Sequence, residues 1–375
     1  MTHSDTDSDL SDSGQNRRKA SKKTSGGKSW QDNFSCMQKH DGENKSENPN
    51  ARTIEVLQEM ANYYDQVKDH WRTTAYRKAI AALRTQPKKI STTDEAYAIT
   101  FIGERLALKI EEIVWTNRLR RLDNTRLEPR DELLQKFLNI YGVGFSQASK
   151  WVSQGHQTLD HLLAHAHLTD NQKIGILHYD DFLSRIPRAE VEAHGAIVRA
   201  AVHAVDKHIH VTIMGSYRRG ATDTGDIDLI VTKPDGPIHY LRAVLLDTVI
   251  PLLFAQGFLK ATLASTSPAT GTKWHGASAI PGSSVWRRID FLLVPWDEMG
   301  AALIYFTGND IFNRSIRLLA SRKGMRLNQR GLWRDVIRGA NRERITQGTL
   351  VEGGSERRIF DILGVPWRRP EHRIC

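Results

Sequence analysis

Residues 214–231 are Met214-Gly215-Ser216-Tyr217-Arg218-Arg219-Gly220-Ala221-Thr222-Asp223-Thr224-Gly225-Asp226-Ile227-Asp228-Leu229-Ile230-Val231. The run predicts the end of one strand, a glycine-bounded basic turn and a second strand, because apolar and β-branched residues surround its last two acids. Side chains on a strand alternate between its two faces. Asp226 and Asp228 are therefore predicted to lie on one face, only a few ångströms apart.

The composition of this run indicates a chemistry. Two ionised carboxylates that lie close together repel each other unless a cation sits between them. The turn before them supplies Arg218 and Arg219, whose forked guanidinium groups suit phosphate, and its glycines let backbone approach a ligand. Metal-binding acids beside phosphate-binding groups are what phosphoryl or nucleotidyl transfer requires.

A third acid stands in another strand-like run, residues 285–294, where Asp290 is the only carboxylate. A neighbouring strand could bring Asp290 beside Asp226 and Asp228, and three acids can hold two divalent ions. The plainer alternative makes the first two acids solubilising residues of an edge strand and the third the end of a strand. That alternative does not account for the arginines and glycines that accompany them.

Length and composition limit the other possibilities. A chain of 375 residues with a net charge of +10 predicts two or three domains and suits a polyanionic partner. Cys36 and Cys375 are too few and too far apart in sequence for a disulfide framework or a cysteine zinc site. Apolar runs are too short to span a membrane and the N-terminus carries no secretory signal, so we expect no membrane partner.

Residues 1–50 are predicted to form a disordered charged tail, because they contain too few apolar residues to offset the entropy of ordering. The tail has eight basic and eight acidic residues, so the whole net charge belongs to residues 51–375. The run Arg17-Arg18-Lys19-Ala20-Ser21-Lys22-Lys23 is either a nuclear import signal or a solvated run of charge. The expectation of a nuclear protein depends on the first reading.

Periodicity predicts an α+β fold for the remainder. Apolar residues at helical spacing, such as Leu57, Met60 and Ala61, predict helices from 51 to 126 and again from about 130 to 205. Strand-like runs dominate 209–296, with one helix near 239–256, and a further helix is expected at about 309–323. The stretch Ala264–Ser284 is rich in Ser, Thr, Gly and Pro and is predicted to be a hairpin loop.

These motifs resemble those of the family X DNA polymerases. Gly215–Gly220 followed by Gly225–Asp228 is similar to that family's nucleotidyl-transfer motif, and Arg287–Asp290 to its third-aspartate strand. Tyr305–Arg314 is similar to its nucleotide-binding turn and helix. The likeness extends roughly from residue 51 to residue 373 in the family's order, and it is greatest to the template-dependent, beta- and lambda-like members.

The resemblance implies four domains after the tail. They are a helical, lyase-like domain with a helix-hairpin-helix motif that binds DNA 5′ ends (51–126), helical fingers with a second such motif (127–189), a nucleotidyltransferase palm with a mixed sheet and flanking helices (190–299), and a small α/β thumb that binds the nascent base pair (300–375). Two Mg²⁺ ions, for which Mn²⁺ can substitute, would be the cofactors, with a monovalent cation at the helix-hairpin-helix motifs.

The implied activity is template-directed DNA synthesis. The substrates would be gapped or nicked DNA and deoxynucleoside triphosphates, and the protein would act as a monomer. Its setting would be base excision repair, double-strand break end joining or both, with repair or end-joining proteins as partners. Two alternatives remain: a DNA-end binding scaffold with a decayed active site, which the presence of all three acids disfavours, and a template-independent nucleotidyltransferase.

The resemblance also implies roles for individual residues. Asp226, Asp228 and Asp290 would be the catalytic metal ligands. Residues expected to bind the nucleotide are Arg185, Gly215, Ser216, Arg219, Gly225, Asp226, Asp228, Tyr305, Phe306, Gly308, Asp310 and Asn313. Residues expected to contact DNA are Trp71, Arg72, Tyr76, Gly103, Arg105, Gly142, Gly144, Arg288 and Arg317. Ser216 and Tyr305 are typical of template-dependent members, and Tyr305 would crowd the sugar 2′ position.

The two helix-hairpin-helix matches differ in quality. Gly142 and Gly144 come just before a predicted helix, where backbone N–H groups can meet a phosphate, although an ordinary helix connection is the alternative. The first match, around Gly103, departs from the family pattern. It has Phe101 in place of a glycine and Glu104 where a small or basic residue is common.

Lys109 matches the lysine that forms a Schiff base with an abasic sugar and releases 5′-deoxyribose phosphate. Nearby cations or burial would favour this role by lowering the lysine pKa, whereas Glu104 would raise it. Leu108 stands where relatives carry a glutamate thought to assist proton transfer. A solvated helix lysine is the alternative, so lyase activity is an open expectation.

Overall fold

The computed structural model describes residues 30–39, 48–67, 69–122, 129–265, 271–337, 345–346 and 348–374. Helices form separate domains at the N-terminal side and strands form the central sheet, so the predicted α+β class is confirmed.

In the described part of the chain, the N-terminal domain contains the helices α1 (Ala51–Gln66), α2 (His70–Arg84), α3 (Thr93–Tyr97) and α4 (Glu104–Thr116). Side chains at helical spacing meet in one core, as the periodicity predicts; they include Leu57, Met60, Ala61, Ile110 and Ile113. Two side chains fix helix starts. Asp69 accepts the Arg72 N–H at α2, and Thr92 forms a reciprocal capping box with Glu95 at α3.

The fingers domain follows with α5 (Pro129–Leu138), α6 (Phe145–Ser153), α7 (Leu159–His165), α8 (Asp170–Leu177) and α9 (Tyr179–Leu183). Its core centres on Phe137 and Trp151, whose rings meet edge to face with centroids 6.1 Å apart. Thr158 and Thr169 accept backbone N–H groups at the starts of α7 and α8, which ends the loops before them.

The palm contains β1 (Ile186–Pro187), α10 (Arg188–Val205), β2 (His210–Ile213), α11 (Gly215–Arg218), β3 (Asp223–Thr224), β4 (Ile227–Thr232), α12 (Ile238–Arg242), a π-helical continuation (Ala243–Val249), α13 (Ile250–Ala255), β5 (Leu259–Ser265), β6 (Lys273–Ser278) and β7 (Arg287–Leu293). Its main sheet has the strand order β2-β4-β7-β6-β5. Strands β4 and β7 are parallel, and the other neighbours are antiparallel.

Alternation along the central strand separates core from site. Ile227, Leu229 and Val231 join the core formed with α10 and with the helical stretch 238–255. Asp228 and Ile230 therefore point to the opposite face. The helix Ile238–Ala255 is long and apolar enough to cross a membrane by those criteria alone. Its apolar side chains, such as Leu245 and Leu253, pack into the palm core.

The thumb begins with a 3-10 turn (Trp296–Glu298) and continues with α14 (Met299–Thr307), α15 (Asp310–Arg322), β8 (Met325–Asn328), β9 (Gly331–Arg334), β10 (Thr349–Glu352), α16 (Glu356–Leu363) and a second 3-10 turn (Pro370–His372). Its core forms where α15 and α16 meet, through residues such as Phe312, Ile316 and Phe360. The helix predicted at about 309–323 is confirmed as α15.

Residues 30–39, which we call the docking segment, pack against the thumb in two 3-10 turns, Trp30–Asn33 and Ser35–Met37. Cys36 is fully buried in the thumb core, and its N–H donates to Ser315 Oγ at 3.1 Å. Arg368 donates to the carbonyl of Gln38 at 3.0 Å. The prediction of a disordered tail is therefore wrong for this segment, because composition does not show a core that lies far along the chain. The basic run Arg17–Lys23 lies outside the described residues.

The loop predicted for Ala264–Ser284 is also wrong in part, because β6 occupies Lys273–Ser278. Trp274 and Ala277 are buried there, which the surrounding Ser, Thr and Gly residues disguise. Gly276 lets the strand accept the Trp274 ring: a Cβ on Gly276 would lie 2.0 Å from a ring carbon. This strand carries a residue of the site described next.

Candidate active site

Three neighbouring strands bring acidic and imidazole side chains into one row. Asp228 on β4 lies directly opposite Asp290 on the parallel strand β7. Asp290 in turn lies opposite His275 on the antiparallel strand β6. Residues that are directly opposite share a face, so the three side chains line the face that the palm helices do not cover. Asp226 comes immediately before β4, completing the predicted set of acids.

The turn between β2 and β4 approaches this row closely. Gly215 has a φ of +60°, and a Cβ at this position would lie 2.4 Å from Asp228 Oδ2. Only glycine permits both the conformation and the contact. The Met214 N–H donates to the Asp228 carbonyl at 2.8 Å, which fixes the entry of α11 against the catalytic strand.

The three carboxylates have different surroundings. Asp226 Oδ2 lies 3.2 Å from Arg288 Nη2, and Asp290 Oδ1 lies 2.8 Å from His275 Nδ1. Asp228 has no ion-pair partner among the residues that the structure describes. Burial raises the pKa of Asp228 to about 7, and the charges of Asp226 and Asp290 contribute. Burial also raises the pKa of Asp226, with Arg288 acting against it.

The carboxylates of Asp226, Asp228 and Asp290 are suitable ligands for divalent cations. Carboxylate oxygens are the ligands that Mg²⁺ and Mn²⁺ prefer, and carboxylates held close and buried gain most from a cation between them. As they stand, no three His, Cys, Asp or Glu side chains in the described ranges are arranged around one ion. Arg288 and His275 each engage one oxygen, Oδ2 of Asp226 and Oδ1 of Asp290, which leaves the second oxygen of each carboxylate for an ion.

The residues of the basic turn that were predicted to bind phosphate or nucleotide have protein partners in the structure. Arg218 donates to Glu356 of the thumb at 2.9 Å and also to Thr307, so it is not free to bind phosphate as its sequence position suggests. Arg219 donates to the Thr307 carbonyl beside Gly308. Ser216 contributes its carbonyl, which accepts the Arg219 N–H at 3.1 Å.

Arg185 and Gly225 are two further residues that were predicted to bind the nucleotide. Arg185 pairs with Asp223 at 2.6 Å. Its Nη1 would lie 3.3 Å from a Cβ on Gly225, so the two predicted residues are neighbours. The guanidinium is exposed and can exchange Asp223 for another anion at small cost.

The thumb turn supplies the remaining predicted nucleotide-binding residues. The rings of Tyr305 and Phe306 meet edge to face with centroids 4.7 Å apart, and Arg317 lies over the Tyr305 ring at 4.8 Å. Asn313 Nδ2 donates to the Tyr305 carbonyl at 2.7 Å, whereas its Oδ1 is buried without a partner among the described residues.

The backbone between these residues turns sharply. Gly308 has a φ of +66°, the Gly308–Asn309 peptide is cis, and Asn309 caps α15 by accepting the Phe312 N–H at 3.0 Å. Asp310 begins α15 and lies 3.8 Å from Arg314. The N-terminus of α15 thus lies beside the palm turn, since a Cβ on Gly308 would be 3.3 Å from Arg219 Nη1.

Comparison with known proteins identifies the family of this chain. Family models match in succession: "Helix-hairpin-helix domain" at residues 48–119, "Fingers domain of DNA polymerase lambda" at 135–183, "DNA polymerase beta palm" at 185–296 and "DNA polymerase beta thumb" at 302–374. The chain belongs to family X of the DNA polymerases. The matched ranges follow the predicted order of domains, whose boundaries remain predictions.

Two curated relatives of this family X chain carry the same name. It is 37% identical over 332 residues to "DNA polymerase lambda" of Rattus norvegicus, which covers 88% of this chain and 57% of the relative. It is 33% identical over 331 residues to "DNA polymerase lambda" of Arabidopsis thaliana, covering 86% of this chain and 62% of the relative. The chain thus spans about three fifths of the length of these relatives.

The two helix-hairpin-helix turns of this family X chain have different backbones. Gly144 caps α6 in an extended conformation and Gly142 has a φ of +76°, so N–H groups at the start of α6 face outward. At the first turn, Gly103 caps α4, while Phe101 adopts a φ of +75° that glycine would adopt more easily. The departure that the sequence shows is therefore a strained position, although the turn still forms.

Three residues that were predicted to bind a DNA 5′ end lie on α2. Trp71 is 86% exposed, and Arg72 lies over the Tyr64 ring at 5.4 Å while it pairs with Asp69. Tyr76 is buried rather than accessible, and its hydroxyl has no hydrogen-bond partner among the described residues. Tyr76 can therefore serve a ligand only if the pocket around its hydroxyl opens.

Lys109 lies on α4 near this group. Burial lowers the pKa of Lys109, and the charges of Arg105 and Arg121 lower it further. Glu112 acts in the opposite direction, rather than the Glu104 that the sequence suggested. Leu108 is 53% exposed. Because its side chain is apolar, it cannot assist proton transfer at Lys109. The cationic surroundings agree with the expectation for a Schiff-base lysine.

Two parts of the site were missed at the level of sequence. His275 sits inside the stretch predicted to be a loop, and only the strand register brings it to Asp290. Glu356, 138 residues further along the chain, accepts from Arg218 and is itself held by Arg373. No local pattern marks any of these residues.

Proposed function

We propose that this protein is a template-directed DNA polymerase that fills short gaps in DNA. The observation that carries the proposal is the register of β4 and β7, which puts Asp228 opposite Asp290 with Asp226 beside them. The palm turn and the thumb turn meet at the same place through Arg219 and Thr307. Carboxylates for divalent ions and cations for a triphosphate therefore converge on one cleft.

Each group has a role in nucleotidyl transfer. Two divalent ions held by Asp226, Asp228 and Asp290 would lower the pKa of the primer 3′-hydroxyl and neutralise the triphosphate. Asp290 would hold the primer side of the site and accept the hydroxyl proton. Arg219 and Arg185 would bind phosphate oxygens, with Arg185 leaving Asp223.

The primer-extension assay tests the proposal directly. Wild type should extend the primer of gapped DNA only with a template and a divalent ion. Asp290→Ala should abolish incorporation while gapped-DNA binding persists, and Asp247→Asn, an exposed acid on the far helix, should behave as wild type. Extension by Asp290→Ala would refute the site. Extension without template would favour the end-extending alternative, and binding without any extension would favour the scaffold.

DNA binding should be electrostatic. A net charge of +10 and backbone N–H groups at Gly142 and Gly144 suit phosphates rather than base edges. The logarithm of the affinity should fall linearly with the logarithm of salt concentration, by about 0.9 per phosphate contacted. A salt-independent affinity, or a strong preference for one sequence, would contradict this.

A 5′ phosphate should improve gap filling. Trp71 and Arg72 lie exposed in the first turn of α2, where an anion can replace Asp69 as the partner of Arg72. The test compares filling of a short gap with and without the 5′ phosphate, in wild type and Arg72→Ala. Equal rates on both substrates in wild type would remove this pocket from the proposal.

A second activity, release of 5′-deoxyribose phosphate, is favoured by the surroundings of Lys109. Its lowered pKa increases the fraction of free amine that can attack an abasic sugar, and borohydride should trap the resulting imine. Trapping should fall sharply in Lys109→Ala, and Leu108→Glu should speed release by restoring an acid. Equal trapping by wild type and Lys109→Ala would exclude Lys109.

The biological setting completes the proposal. The protein would act as a monomer in the nucleus, in base excision repair or end joining, and the basic run Arg17–Lys23 is the feature that motivates the nuclear setting. Replacing the basic residues of that run should abolish nuclear import of a fluorescent fusion. Sedimentation of the purified chain with gapped DNA checks its stoichiometry.

A further inference from the structure

His275 forms the end of the row that begins with Asp228. Its Nδ1 lies 2.8 Å from Asp290 Oδ1, and the two residues are directly paired across β6 and β7. A carboxylate only accepts hydrogen bonds, so the imidazole Nδ1 carries the proton in this contact. The bond is partly shielded, since the histidine side chain is 29% exposed and the aspartate side chain 25%.

Asp290 depends on His275 because the nearest arginine serves another acid. Arg288 precedes Asp290 by two residues on β7, but its Nη2 reaches Asp226 and the Gly225 carbonyl, each at 3.2 Å. The last torsion of an aspartate is broad and roughly two-fold, so its two oxygens exchange places readily unless one of them is held. His275 holds Oδ1.

We propose that His275 is a positioning residue for Asp290, which it fixes by the Nδ1–H to Oδ1 bond so that Oδ2 remains for the divalent ion. The inference rests on the proposed polymerase function. Groups that orient a metal ligand through hydrogen bonds commonly affect metal affinity by about 10- to 100-fold. A cross-strand contact with no such role would affect the stability of the sheet and leave metal affinity unchanged.

Three substitutions at one position separate positioning from packing. His275→Leu removes the donor and keeps an apolar side chain of moderate size. His275→Asn keeps an N–H donor the same number of bonds from the backbone as Nδ1, whereas His275→Gln places it one bond further. His208→Leu makes the same chemical change in the exposed turn before β2, at the end of the strand away from the site.

The measurement is binding of Mn²⁺, followed by electron paramagnetic resonance, to the full chain with gapped DNA, a 3′-deoxy primer and a matching deoxynucleoside triphosphate. Because the primer lacks its hydroxyl, no chemistry occurs. We expect His275→Leu to weaken Mn²⁺ binding at the more weakly held site by about 10-fold or more. His275→Asn should recover most of the affinity, His275→Gln less, and His208→Leu should match wild type.

Kinetics supply a second readout. With an extendable primer, His275→Leu should raise the Mg²⁺ concentration for half-maximal rate much more than the KM for the nucleotide. Unchanged Mn²⁺ affinity in His275→Leu would overturn the proposal. Equal weakening in His275→Leu and His275→Asn, with thermal stability preserved in both, would overturn it as well. Failure of wild type to extend any primer would refute the polymerase function, while the Mn²⁺ comparison would still decide the role of His275.

Discussion

Arg218 of the palm turn and Glu356 of the thumb form a two-pronged ion pair, with Nη2 2.9 Å from Oε2 and Nη1 3.2 Å from Oε1. Arg373, which is fully buried, donates to the same carboxylate at 2.6 Å. The turn before the catalytic strand is therefore anchored to the thumb. Arg219, its neighbour in sequence, donates to the Thr307 carbonyl.

Loss of the carboxylate should destabilise this junction. Glu356→Ala leaves the buried Arg373 and the half-buried Arg218 without their counter-charge, which costs about 3–5 kcal/mol. We expect faster hydrogen exchange throughout Glu356–Leu363. Glu55→Ala breaks the exposed pair with Arg52 and should cost less than about 1 kcal/mol. Equal effects of the two substitutions would mean that the junction contributes little.

The same carboxylate should make the thumb sensitive to acid. Burial alone would raise the pKa of Glu356, but the hydrogen bonds and charges of Arg218 and Arg373 outweigh it and lower the pKa. The resulting stability is present above the unfolded value near about 4.3 and is lost as pH falls through the lower folded value. Hydrogen exchange of α16 measured at pH 6 and pH 3 should show the loss in wild type.

Asp228→Asn should stabilise the metal-free protein. The folded pKa of about 7 exceeds the unfolded value of about 3.9, so the folded state holds its proton more tightly and stability falls as pH rises between these values. At pH 8 in chelator, the free energy of unfolding of the variant, measured by thermal unfolding, should exceed that of wild type by about 1 kcal/mol or more. The difference should vanish near pH 4, and Mg²⁺ should stabilise wild type more than the variant.

His194 should make the palm sensitive to mild acid. It is fully buried, its Nδ1 lies 3.1 Å from Ser278 Oγ, and burial lowers its pKa to about 4. Between the unfolded value of about 6.5 and this folded value, the unfolded state binds a proton that the palm does not, which costs up to about 3 kcal/mol. His194→Leu should flatten this part of the stability curve. A slope unchanged from wild type would assign the effect elsewhere.

Truncation should reveal the contribution of the docking segment. Removing residues 1–29 ends before the first described contact with the thumb and should leave its stability unchanged. Removing residues 1–39 also takes away the buried Cys36 and its neighbours, at about 1.5–3 kcal/mol for each large apolar side chain lost. Thermal unfolding and hydrogen exchange in α15 measure the difference. Equal stability of the two truncated proteins would show that the segment binds the thumb only weakly.

The sequence predicts the parts of this molecule whose causes are local. The alternation of Ile227, Asp228 and Leu229 sets which face each side chain takes, so the pairing of acids was predictable. The helices of the N-terminal domain follow for the same reason. Strand β6 was not predictable, because its main apolar anchor, Trp274, is held by partners such as Phe291 on another strand.

The rest of the site depends on contacts between distant residues. Arg218 has the sequence context of a phosphate ligand, and only the folded thumb shows that Glu356 occupies it. Cys36 lies in a polar stretch whose apolar residues are few, and it is buried by residues about 280 positions away. His275 looks like an isolated polar residue until the register of β6 is known.

The docking segment also changes how the chain is connected. From Lys39 the chain passes through residues 40–47 into the N-terminal domain, then through the fingers and palm, and returns to the thumb on which it began. The N-terminal domain is thus attached at both of its ends. As long as the segment stays docked, residues 40–47 limit the gap between Lys39 and Asn48 to about 30 Å, the reach of an extended chain of that length. A duplex held between the thumb and the N-terminal domain would be enclosed by a loop of chain that the non-covalent contacts of the docking segment close, and it would enter by its end or after the segment detaches.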